Sequence, residues 1–196
     1  MLTEPESVLF VLADAFDEAH VDYAVGGSVA SSRFGEPRAT LDTDIVIDPT
    51  YDSLTLLLNV LSRAFWVDRE RAREAYQSAS AFQAVHISAM ARVDLFVVGD
   101  DPSARAQIER RTALRISTSA RDRDVWFVSA EDIVVQKLKW FVASSGVLER
   151  QLRDVAGVIR LQGERLDRDY LTRTAARLGL TELLVRAMRE AGQDRR

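Results

Sequence analysis

Two stretches, Tyr23-Ala24-Val25-Gly26-Gly27-Ser28 and Thr40-Leu41-Asp42-Thr43-Asp44-Ile45, decide the fold. In the first, a short apolar run breaks at two glycines. Residues 28–34 then suit a short helix that Gly35 ends. A glycine at such a turn accepts positive φ and lets a ligand approach the backbone. The N–H groups of Ser28 and its successors would face an anion there, although a plain tight turn also needs glycine. In the second stretch the two carboxylates stand two residues apart, which puts both on one face of a strand. Adjacent anions repel. A divalent cation with oxygen preference offsets that cost; so does water, with Arg38 neutralising one of the pair.

A third carboxylate lies further on, in Arg92-Val93-Asp94-Leu95-Phe96-Val97-Val98. A charge among so many apolar residues is expensive unless paired, by a metal or by an arginine such as Arg92. If this strand lies beside that of Asp42 and Asp44, the three carboxylates can hold two Mg²⁺ ions. Two metals would clamp the attacking and leaving oxygens of a phosphoryl displacement.

Outward from these stretches the pattern is mixed. Apolar periodicity predicts helices over 5–20 and 52–64 and a short polar helix over 102–111. Strands are expected over 23–25, 41–47, 82–88, 92–98 and 125–128. The character changes at Ser129, which with Asp132 makes a capping-box-like start. A helix through Ile133, Val134, Leu138 and Phe141 follows, then helices over 148–162, 167–178 and 180–191. The fold class is α/β (α+β): a small mixed sheet flanked by helices in 1–128, and a helical unit in 129–196.

The order of the three features, Gly-Gly-Ser, Asp-x-Asp and the later Asp, resembles the nucleotidyltransferase superfamily of DNA polymerase beta type. Gly35, Arg38 and Thr40, the segment Ala130-Glu131-Asp132-Ile133-Val134-Val135-Gln136-Lys137-Leu138-Lys139, and Arg153-Asp154 resemble its AbiEii-toxin-like branch. The resemblance runs from residue 8 to about 160. Thr43, where the superfamily often has an aliphatic residue, is a mild departure.

The resemblance implies an enzyme that moves an NMP from an NTP to a hydroxyl with Mg²⁺ or Mn²⁺. Asp42, Asp44 and Asp94 would bind the metals, with Asp94 as general base. Gly26, Gly27, Ser28 and Arg38 would hold the nucleotide. Lys137 would reach the phosphates or the base, and Asp154 would orient Lys137 or the acceptor. At the edge of its helix's apolar stripe, Lys137 is expected to lay its stem on apolar surface and extend its ammonium toward the glycine turn; pairing with Asp154 is the other reading. The acceptor stays open among tRNA or other RNA, a protein hydroxyl, and a small molecule such as an aminoglycoside or lincosamide. A cognate antitoxin is a possible partner. An alternative is a non-catalytic nucleotide-binding or regulatory module on the same fold; the presence of all three carboxylates argues against it.

Composition narrows the field. The 196 residues contain no cysteine, which removes disulfides, thiolate zinc sites and cysteine nucleophiles. A net charge of −4 is not that of a dedicated nucleic-acid binder. No apolar run reaches the ~20 residues that span a bilayer. Glu4 and Glu6, with no basic region before an apolar core, do not read as a signal peptide. The expectation is a soluble cytoplasmic protein. His20 and His86 make no recognisable zinc spacing. Trp66, Trp126 and Trp140, each inside an apolar segment, are expected to anchor the core. The C-terminal arginines are expected to form a solvated face, with a nucleic-acid contact as the sharper reading.

Overall fold

A computed structural model describes residues 5–40, 42–119, 121–147 and 149–192. They divide into two compact units, Met1–Gly26 with Thr40–Val128, and Gly27–Ala39 with Ser129–Arg196. The segment between the first two strands thus groups with the helical residues, although it lies within the 1–128 stretch.

The first unit contains a seven-stranded mixed sheet. Its strands are β1 (Asp22–Val25), β2 (Asp42–Asp48), β3 (Phe65–Val67), β4 (Ala81–His86), β5 (Arg92–Val97), β6 (Thr112–Ser117) and β7 (Asp122–Phe127). They run in the order β3-β4-β5-β2-β1-β7-β6. The β2–β5 and β1–β7 pairs are parallel; the others are antiparallel. Four helices belong with the sheet: α1 (Pro5–Glu18), α3 (Tyr51–Leu61), α4 (Arg69–Ser78) and α5 (Pro102–Glu109). Phe16, Leu54, Leu57, Ile45, Ile47 and Leu95 are fully buried in this core, and the Phe16 and Tyr23 rings stack with centroids 4.6 Å apart.

Leu41, expected to begin the second strand, lies outside the described residues. Three elements of this unit have no counterpart in the sequence reading: β3, α4 and β6. A three-residue strand is too short to show alternation. The only fully buried residues of α4 are Ala72 and Ala75, too small to mark an apolar stripe. In β6 only Ile116 is buried.

The second unit holds α2 (Gly27–Phe34), α6 (Ala130–Ala143), α7 (Glu149–Gln162), α8 (Arg168–Leu178) and α9 (Thr181–Glu190). Ser129 caps α6, its hydroxyl accepting from the Asp132 amide at 3.2 Å and donating to the Asp132 carboxylate at 2.7 Å. Gly35 lets α2 approach α7. A Cβ there would lie 2.9 Å from both the Ser31 carbonyl oxygen and the Val158 amide nitrogen. The contact is extended by Gln162 Nε2 donating to the Phe34 carbonyl at 2.6 Å and by the Arg160–Glu36 ion pair.

The tryptophan expectation needs correction. Trp66 is 63% and Trp126 39% exposed, and Trp140 is half-buried. Trp66 sits on an edge strand, and the Arg111 guanidinium lies 5.0 Å from the Trp126 ring centroid. Among the C-terminal arginines expected to form a solvated face, Arg153, Arg165, Arg173 and Arg189 are exposed. No helix among the described residues is long and apolar enough to cross a membrane.

Candidate functional site

Alternation along two central strands builds the carboxylate face. On β5, Val93, Leu95 and Val97 are buried while Arg92, Asp94 and Phe96 point the other way. The parallel register pairs Asp44 with Asp94 and Asp42 with Arg92. Paired residues of adjacent strands share a face, with backbones about 4.8 Å apart. All three acids therefore stand on one side of the sheet. Asp44 is also tied to the turn through its carbonyl oxygen, which accepts from the Gly26 amide at 2.8 Å.

Asp42 and Asp94 each meet a side-chain donor on a neighbouring strand. Arg92 Nε donates to Asp42 Oδ1 at 2.7 Å, and this bond raises the Arg92 guanidinium above its usual range. Gln83, opposite Asp94 on β4, donates from Nε2 to Asp94 Oδ1 at 2.7 Å. The sequence reading missed Gln83 because only the register places it there. Arg92 thus bonds to Asp42, and its charge also acts on Asp94.

Three carboxylates on one face are a hard-oxygen donor set of the kind Mg²⁺ and Mn²⁺ prefer, so in chemistry and backbone placement the residues fit such an ion. As the side chains stand, no group of three His, Cys, Asp or Glu among the described residues is arranged to hold one. Arg92 and Gln83 each bond to Oδ1 of their carboxylate, and a ligating carboxylate commonly keeps such an outer hydrogen bond.

The second unit collects the remaining candidates. Gly27, with φ +55°, opens α2 in the left-handed region that favours glycine. Ser28 follows in the first turn, and its hydroxyl accepts from Arg38 Nη2. Arg38 Nε lies 3.4 Å from Asp154 Oδ2, and Lys137 Nζ lies 2.7 Å from the same oxygen. Lys137 also donates to Gln151 Oε1 at 3.2 Å. Four residues singled out from the sequence, Ser28, Arg38, Lys137 and Asp154, thus join one network with Gln151. Gln151 lies three residues before Asp154, a helical spacing that gave a signal for it.

Lys137 departs from the expected extended posture. Its side chain is 1% exposed, and its ammonium points at Asp154 and Gln151, as in the alternative reading. An ammonium so buried needs a carboxylate and further hydrogen-bond acceptors. Lys139 is half-buried.

No protein-family model and no curated protein matches the chain. Several solved structures do. The solution structure of the antibiotic-resistance factor ANT(2″)-Ia superposes with a TM-score of 0.58 at 13% identity, over 93% of this chain and 97% of that one. ANT(2″)-Ia in complex with adenylyl-2″-tobramycin gives 0.55 at 13%, over 88% and 97%. An antigenic nucleotidyltransferase-like protein from Paracoccidioides brasiliensis gives 0.55 at 20%, over 91% of each chain. The chain has a nucleotidyltransferase-like fold.

Proposed function

We propose that this chain is a metal-dependent nucleotidyltransferase of the AbiEii-like branch, moving an NMP from an NTP onto a hydroxyl acceptor and releasing pyrophosphate. The observation that carries the reading is the register that sets Asp44 opposite Asp94, with Asp42 two residues away on the same face. Asp42, Asp44 and Asp94 would hold Mg²⁺ or Mn²⁺, which when bound would neutralise charge on the reacting phosphate oxygens. Ser28 and Arg38, with the backbone at Gly26 and Gly27, take the phosphates. Asp94 accepts the acceptor's proton. The hydroxyl oxygen bonds to the α-phosphorus, and the bond from that phosphorus to the bridging oxygen breaks, so the electron pair leaves with pyrophosphate. Such catalysis is mostly positioning and charge neutralisation.

The acceptor hydroxyl belongs to an RNA, tRNA included, a protein or a small molecule, and a cognate antitoxin fits a toxin of a two-component pair. Titration calorimetry with an NTP and Mg²⁺ tests the core of the reading. Binding by the native protein that is lost in Asp42→Ala/Asp44→Ala supports it; no binding by the native protein overturns it.

A second reading, a non-catalytic nucleotide-binding module, draws on the engagement of Asp42 by Arg92 and of Asp94 by Gln83. Incubation with labelled NTPs and total RNA separates the two. Label transfer that disappears in Asp94→Asn eliminates the module.

A further inference from the structure

We propose that Lys137 is a positioning residue that acts through Asp154, keeping the charge of Arg38 available to a phosphate anion. The inference rests on the reading that Ser28 and Arg38 face the nucleotide phosphates. Its basis is one shared atom: Asp154 Oδ2 lies 2.7 Å from Lys137 Nζ and 3.4 Å from Arg38 Nε.

Side-chain exposure rises along this chain of charges, from 1% at Lys137 through 12% at Asp154 to 35% at Arg38. The buried member does not meet a ligand as it stands, because its side chain is enclosed with its ammonium turned to Asp154 and Gln151. The outermost member holds the Ser28 hydroxyl at the head of α2. Within this triad two cations share one carboxylate, which leaves the triad one net positive charge, and Arg38 is its accessible member. If Asp154 stood with Arg38 alone, the pair would be neutral and would attract an anion far less. Lys137 thus lets Asp154 fix the position of Arg38 without cancelling its charge. Gln151 supports the arrangement by giving the ammonium an uncharged acceptor.

This account makes a prediction that a direct Lys137–phosphate contact does not. Removing only the lysine charge should weaken anion binding. Removing the lysine and aspartate charges together should restore it, because Arg38 is then uncompensated again. The test is titration calorimetry on the full chain with two probes, inorganic tripolyphosphate and ATP with Mg²⁺. The variants are Lys137→Met, Lys137→Met/Asp154→Asn and Arg38→Gln.

Arg38→Gln and Lys137→Met are each expected to weaken tripolyphosphate binding about tenfold or more, the scale of one charge-assisted contact. The double variant is expected within about threefold of the native protein. A double variant as weak as Lys137→Met overturns the proposal and points to a direct contact. Should Lys137→Met fail to fold, the double variant, which buries no unbalanced charge, still decides between the two outcomes. Tripolyphosphate binding without ATP binding refutes the nucleotidyltransferase reading and leaves the variants to judge the inference. Binding of neither probe overturns both.

Discussion

Asp44 and Asp94 face each other directly across a parallel ladder. Like charges so placed cost about 0.2–1 kcal/mol. Asp44→Asn is therefore expected to melt higher than the native protein in metal-free buffer. Saturating Mg²⁺ or Mn²⁺ should stabilise the native protein by ~1–3 kcal/mol and leave Asp44→Asn unmoved. Differential scanning calorimetry with and without the ion measures both; a native protein indifferent to metal even with NTP present counts against the site. His86 supplies a second residue-level test. Burial lowers its pKa below 6.5, and its Nδ1 accepts from the Ala89 amide at 3.1 Å, which suits the neutral ring. Just below pH 6.5 the unfolded chain binds more protons at this residue than the folded chain does. The His86 contribution is therefore present above that pH and is lost as pH falls toward the folded-state pKa. Urea titrations between about pH 5 and 7.5 should show stability rising with pH, with a smaller slope in His86→Gln. Identical slopes would remove His86 as the cause.

Helix ends and close approaches govern the next scale. Asp68 caps α4 by accepting from the Glu70 and Arg71 amides at 3.0 and 3.1 Å. Asp68→Ala is expected to cost about 1 kcal/mol in a urea denaturation series. The α2–α7 approach is less forgiving. At Gly35 the atoms that would crowd a new Cβ include backbone, which cannot rotate aside. Gly35→Ala is expected to cost ~1–3 kcal/mol, the range for overpacking a tight contact. A neutral effect would show that α2 can lift off α7 at little cost. The sequence marked Gly35 as a helix stop and as part of the family resemblance, not as a close approach of two helices. Helices with bulky apolar stripes, such as α3 with Leu54, Leu57, Leu58 and Leu61, were legible because a 3.6-residue period survives in one dimension. The α4 helix was not, because alanine marks a buried face only where a neighbour comes close.

For the molecule as a whole, one cut between the compact units falls between Val128 and Ser129, but residues 27–39 group with the helical residues after it. α2 packs with α6 and α7 although more than ninety residues follow it before α6 begins. A fragment 129–196 should therefore lack a packing partner. Its near-UV circular dichroism, from Trp140 and Tyr170, is expected to be weak and to strengthen when a peptide spanning 27–39 is added. A fragment with full signal and no response to the peptide would show that α2 is dispensable to the helical unit.

What the sequence determined by itself was local. Gly-Gly at a strand end, Asp-x-Asp at a strand start and an acid amid apolar residues each carry their chemistry in residue type and spacing. Together they singled out the three carboxylates and Ser28, and the family resemblance added Arg38, Lys137 and Asp154. Only the tertiary structure decided which charge meets which. Arg92 holds Asp42, Gln83 holds Asp94, and Lys137 is enclosed against Asp154 and Gln151. Strand register and helix approach bring residues 11, 17 and 50 positions apart within hydrogen-bond reach. An electrostatic partnership depends on distance in space, and no periodicity along the chain encodes that.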